Sequence, residues 1–158
     1  MKFLDPLETL SDPTLVNAQT GAVIATSVEV ARTSATRRRG LLGREGLPTG
    51  SALVITRCNA IHTMGMQFAI DVAFVDADGC VRKIVHRLRP RRIAIAPRAW
   101  AVIELAAGGL RPDCLSVGDR VYLAPRSSDV PVAGTAEVSE RRPSTRQMTA
   151  ASVMARIG

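Results

Sequence analysis

Ile61-His62-Thr63-Met64-Gly65-Met66-Gln67-Phe68-Ala69-Ile70-Asp71-Val72-Ala73-Phe74-Val75-Asp76 passes from a polar, methionine-containing segment into the most strand-like run of the chain. Residues 70–75 are dominated by β-branched and aromatic side chains, and Asp76-Ala77-Asp78-Gly79 supplies the Asp-Gly dipeptide of a hairpin turn. Residues 80–85 then read as the returning strand. Asp71 interrupts a run that is otherwise apolar on both faces. A buried carboxylate without partners is strongly unfavourable, so backbone N–H groups, Thr63 or an arginine such as Arg44 must meet it. Two roles follow for Asp71: an internal latch fixing the entry to the hairpin, or a ligand-facing acceptor or base.

Outward from this stretch, residues 52–55 form a short apolar run suited to a buried strand, and residues 100–105 offer another. Helix is the alternative for 100–105, because an Ala-rich composition suits both. Residues 117–123 read as a turn and a closing strand, stopped by Pro125. Upstream, residues 15–17 and 22–31, separated by Thr20-Gly21, suggest a strand pair. Thr33 or Ser34 is placed to cap a short helix running through 39–42, with Gly43 or Gly46 ending it. Around Pro112, residues 110–115 predict a single helical turn. About seven short strands punctuated by turn residues predict a mainly β fold. The expected architecture is a single compact β-sandwich or partly closed barrel with one or two short helical turns.

The chain has 158 residues, 46% of them hydrophobic, which suits one core and not two. The expected division is a loose N-terminal arm over 1–19, a folded domain over 20–126 and a disordered tail over 127–158. The tail is rich in Ser, Thr, Pro, Glu and Arg, too polar to offset the entropy of ordering it. No run approaches the apolar length of a membrane helix, and Glu104 interrupts the best one, so no membrane insertion is expected. Asp5, Pro6 and Glu8 fall where a signal peptide would be apolar. Cys58, Cys80 and Cys114 are odd in number and lack short spacing, which argues against a disulfide framework and for a reducing, cytoplasmic setting.

Arg39-Gly40-Leu41-Leu42-Gly43-Arg44 upstream, the organising stretch itself, and Ser116-Val117-Gly118-Asp119-Arg120-Val121 downstream together resemble the prokaryotic family called domain of unknown function 192. The resemblance spans roughly residues 20–124 and implies a small β-sandwich of jelly-roll-like topology. Commoner members carry an aromatic residue followed by Met where this chain has His62 and Thr63, and a Thr where it has Met66. The Asp and Arg matching Asp71 and Arg44 recur in the family pattern, which assigns neither a catalytic role.

The segment before the hairpin holds the candidate ligand- or partner-binding residues His62, Thr63, Met64 and Met66, to which Asp71 and Arg44 are added. Gly65 breaks the strand pattern, so these side chains are placed to line a concavity, and methionines make adaptable surfaces. Cys58 and His62 lie four apart and are ligand types that zinc prefers, yet their spacing matches no closed motif. Neither metal nor cofactor is expected, and no catalytic set is identified. Arg37-Arg38-Arg39 and the arginines of 87–98 contribute to a formal net charge of +7, but aromatic content of 3% leaves little on which to stack bases. Nucleic acid is therefore not the expected partner. The sequence reads as an uncharacterised, non-enzymatic small-ligand or protein-interaction module. Its alternatives are a metal-dependent or Cys/His enzyme centred on Cys58, His62 and Asp71, and weak phosphate or nucleic-acid binding through the arginines.

Overall fold

The computed structural model describes Phe3 and residues 12–126. In chain order the elements are β1 (Pro13–Asn17), β2 (Val23–Ala25), β3 (Ser27–Ala31), α1 (Ser34–Arg39), β4 (Ser51–Thr56), β5 (Ala60–His62), β6 (Ile70–Val75), β7 (Val81–Leu88), β8 (Ile93–Ile95), β9 (Ala101–Ala106) and β10 (Val121–Pro125). Five strands make a central sheet in the order β3-β4-β9-β6-β7, β10-β1-β2 make a second sheet, and β5-β8 pair as a ribbon. The fold is mainly β, as its turn-punctuated apolar runs imply, and no sheet closes into a barrel.

Side chains on a strand alternate between faces, and here both faces of the central sheet are covered. On one face Val54, Ala73, Val75, Ile103 and Leu105 pack with Leu15, Val121 and Leu123 of the second sheet. On the other, Leu53, Ile55, Val72, Phe74 and Val102 pack under Leu41, Ile61, Met66 and Ala94. This double covering explains why all six residues of β6 are buried. Fully burying one such aliphatic or aromatic side chain contributes about 1.5–3 kcal/mol, so β6 and β9 carry much of the stability.

Three expectations are corrected. The arm does not extend to residue 19: β1 lies between β2 and β10 with all five residues buried, because Leu15 and its neighbours complete the second sheet. Pro13 stands at the first position of that strand, where a missing N–H is tolerated. Phe3 is also buried, against Gly79. The helix ends earlier than expected. Thr33 caps it, its side chain accepting from the Thr36 N–H, and Gly40 stops it at φ 48° and ψ −125°. Finally, β8 adds a strand that the sequence reading did not assign, directly after the arginine-rich residues 87–92: Ala94 faces the core while Ile93 and Ile95 face outward. The tail expected over 127–158 lies outside the described residues.

The β6–β7 hairpin turns as its Asp-Gly dipeptide predicts. The Asp76 carboxylate accepts from the N–H groups of Asp78 at 3.0 Å and Cys80 at 2.9 Å, while Gly79 takes φ +80°. A Cβ on Gly79 would lie 2.3 Å from the Val121 carbonyl oxygen. Gly79→Ala is therefore expected to destabilise by at least about 2 kcal/mol, from left-handed strain plus a backbone clash. Gly43→Ala, at φ +77° with open space around it, should show the strain alone. Urea unfolding of both variants checks this, and equal losses would refute the clash.

Candidate functional site

Along β9 the alternation that sends Ile103 and Leu105 to one core sends Val102 and Glu104 to the other. Glu104 sits between Leu53 of β4 and Val72 of β6 in register, so its carboxyl projects from the middle of an apolar sheet face. It is 4% exposed, and its Oε2 meets no hydrogen-bond donor. Burial pushes its pKa up to about 7, with Arg44 pulling the other way. An unpaired polar atom of this kind is rare in a folded interior and unfavourable by about 1–3 kcal/mol or more.

Glu104 lines a pocket of about 140 Å³ beneath the C-terminal end of α1. Leu41, Leu42, Ile61 and Met66 supply apolar walls, Cys58 and His62 stand to one side, and Arg37, Arg38 and Arg39 frame it from the helix. The geometry is set locally. Gly40 breaks the helix, which lets Leu41 turn inward and become buried while the three arginines remain on the last turn. Among the described residues none of these three arginines forms an ion pair. The Cys58 thiol donates to the Ala60 carbonyl at 3.0 Å, and burial, reinforced by Glu104, pushes its pKa up. A thiol held protonated is a poor nucleophile.

A roomier cavity of about 220 Å³ lies past the C-terminal end of β9 on the opposite face of the sheet, lined by Val23, Ile24, Gly109 and Cys114. Its charged group, Arg111, already meets Cys114 Sγ at 3.1 Å and Asp113 at 3.4 Å. No unpartnered buried atom points to a ligand there, so the smaller pocket is the better candidate despite its size.

The family profile described as "uncharacterized ACR" and designated DUF192 matches residues 15–123, the span that holds β1 to β10 almost entire. The chain belongs to the DUF192 family. Two solved structures share its fold. One is a candidate transcription regulator of Sinorhizobium meliloti 1021, 24% identical, covering 70% of this chain and 91% of its own, with a TM-score of 0.61. The other is a protein of unknown function from Novosphingobium aromaticivorans DSM 12444, 25% identical, covering 77% and 91%, with a TM-score of 0.57. Among curated proteins, none matches.

Within this DUF192 domain the residues singled out from sequence separate into two groups. Cys58, His62 and Met66 gather at the Glu104 pocket. The others do not line it. Thr63 is wholly buried, its hydroxyl donating to the Arg89 carbonyl at 2.7 Å and accepting from the Arg92 N–H at 2.9 Å, which staples the loop between β7 and β8 to the end of β5. Met64 points to solvent, and Arg44 holds Glu29 at 2.8 Å. Asp71 lies opposite Leu105, on the far face of the sheet from Glu104 and His62. Its carboxylate accepts from the backbone N–H groups of Arg87 at 2.8 Å, Gly108 at 2.9 Å and Leu110 at 3.0 Å, with neither Thr63 nor Arg44 involved. The sheet thus separates Asp71 from Cys58 and His62, and no centre joining the three is assembled. Among the described residues no three His, Cys, Asp or Glu side chains gather as a metal site. Glu104 is the residue the sequence reading passed over. Its signal was the one used for Asp71, an acid within an apolar strand, but within the strand candidate at 100–105 Glu104 itself was read only as interrupting a membrane-length run.

Proposed function

We propose that this DUF192 domain is a non-catalytic module that binds a small polar ligand in the pocket floored by Glu104. The observation that carries the reading is the buried Glu104 Oε2 without a partner, at the bottom of a pocket with apolar walls and a basic surround. Leaving a carboxyl there unmet destabilises the fold, so a donor arriving with a ligand offsets a loss that no protein group offsets. Catalysis is less well supported, since Cys58 is held as a thiol and donates to the Ala60 carbonyl, not to His62 or Glu104. A nucleic-acid role draws on the same arginines and on the description of the Sinorhizobium neighbour, but the scarcity of aromatics argues against base stacking. A cytoplasmic setting belongs to this reading, in keeping with three free cysteines and with no helix among the described residues being long and apolar enough to cross a membrane.

The test is thermal unfolding of the full chain against a panel of amino acids, short carboxylates, alkylamines and phosphate, beside the Glu104→Leu variant. At least one compound should raise the unfolding temperature of the native chain and not of the variant, since a ligand at about 100 times its Kd adds roughly 2.7 kcal/mol. A panel that stabilises neither protein, or both alike, rejects the pocket as a binding site.

A further inference from the structure

Resting on the ligand-binding reading above, we infer that the Glu104 pocket takes a small zwitterion, a primary amine and a carboxylate on a short aliphatic frame, with the ammonium on Glu104 and the carboxylate toward Arg37, Arg38 and Arg39. The pocket is graded. Its floor is a carboxyl oxygen in need of a donor, its middle is Leu41, Leu42, Ile61 and Met66, and its helical side is three arginines that no acid among the described residues neutralises. Glu29, the acid on neighbouring β3, is already engaged by Arg44.

Each part selects one feature of the ligand. At the floor, a neutral hydroxyl donor would satisfy the hydrogen bond but leave the ionised carboxyl, 4% exposed, without a countercharge. An ammonium supplies both, which is the condition for a buried charge to be tolerated. On the helical side the guanidinium groups are partly preset: Arg37 donates to the Arg32 carbonyl at 2.8 Å and to Ser34 Oγ at 3.2 Å, and Arg38 Nε donates to the Ser34 carbonyl at 3.2 Å. These acceptors are neutral, so the positive charge stays available to a carboxylate. Size closes the argument. A volume of about 140 Å³ is close to the roughly 150 Å³ of an engineered cavity that accepts benzene, so a ligand of about six heavy atoms fits.

The charge pairing makes affinity depend on pH. The titratable and charged groups around Glu104 are Cys58 beyond β4, His62 of β5, Arg37, Arg38 and Arg39 of α1, and Arg44, while its strand neighbours Leu53 and Val72 are apolar. Glu104 keeps its proton below about pH 7 before the ligand arrives and must release it to pair with an ammonium. Binding should therefore weaken toward tenfold per pH unit below that point, with up to one proton released per ligand bound.

Titration calorimetry of the full chain at pH 8 with alanine, β-alanine, propylamine and propionate tests the inference. One of the two isomeric zwitterions should bind at least tenfold more tightly than both propylamine and propionate. That advantage should fall at least tenfold in Glu104→Gln, which keeps the side-chain shape, and in the double variant Arg38→Ala/Arg39→Ala on the exposed helix surface. Repeating the titration at pH 6 in buffers of different ionisation heat should show proton release. Propionate binding as well as the zwitterions would replace the inference with an anion site, and propylamine binding as well with an amine site. If neither zwitterion binds while another compound of the wider panel stabilises the native chain and not Glu104→Leu, the ligand class is wrong and the pocket reading stands. If no compound does so, both fall.

Discussion

Asp71→Ala is expected to destabilise the domain by about 3–5 kcal/mol, the range found when one partner of a buried charged interaction is removed. Asp71 is 1% exposed, and its two oxygens hold three backbone N–H groups drawn from two separate segments. Arg87 belongs to β7 at a point where the backbone takes φ +50°, and Gly108 and Leu110 follow β9. One side chain thus ties an irregular strand position on one side of β6 to the loop leaving β9 on the other. Alanine would strand all three donors, each worth about 1–3 kcal/mol where water cannot replace the carboxylate. Asp71→Asn keeps the shape but turns one acceptor into a donor facing a backbone N–H, so its loss should be substantial and smaller. The alanine variant should unfold on the order of 10–20 °C below the native chain. A shift of only a few degrees would mean that these hydrogen bonds are readily replaced by water, and the latch would be refuted.

Glu104 should produce the opposite behaviour, a buried acid that weakens the fold as the solution becomes alkaline. In the folded protein its carboxyl keeps a proton until about pH 7, whereas the unfolded chain releases it near the ordinary value of 4.5. Between these values the folded state binds more protons than the unfolded one, so raising the pH draws the equilibrium toward unfolding. The stability that this group contributes below pH 4.5 is lost progressively up to about pH 7, by about 3 kcal/mol in all. Glu104→Gln removes the titration while keeping the volume. It should therefore unfold at higher urea than the native chain at pH 8, and the difference between the two should shrink as the pH falls toward 5. Parallel urea titrations at pH 5 and pH 8 read the effect, and the contributions of groups that Glu104 does not touch cancel between the two proteins. A constant difference across that range would show that Glu104 is solvated or paired and would remove the main support for the ligand pocket.

The two acids show what the order of residues determines and what it leaves to the fold. The residues of 70–79 specify a strand, its turn and the need for partners at Asp71, because period, β-branching and Asp-Gly chemistry act between near neighbours. The DUF192 segments around 39–44 and 116–121 are equally local, and so is the cap at Thr33. Which partners serve Asp71 was not legible, because Arg87 N–H, Gly108 N–H and Leu110 N–H lie 16, 37 and 39 residues away and carry no side-chain signature. The strand at 15–17 was legible but its place was not, for a related reason: that β1 starts at Pro13 and belongs to the folded unit is decided by β2 and β10 pairing with it from both sides. The separation of Asp71 from His62 is likewise tertiary, since it depends on which face of β6 meets which layer. Glu104 needed the whole assembly. Its sequence says only that an acid stands in a strand, whereas its burial and its unmet oxygen arise because both faces of the central sheet are covered, with α1 and the β5–β8 ribbon closing over this one.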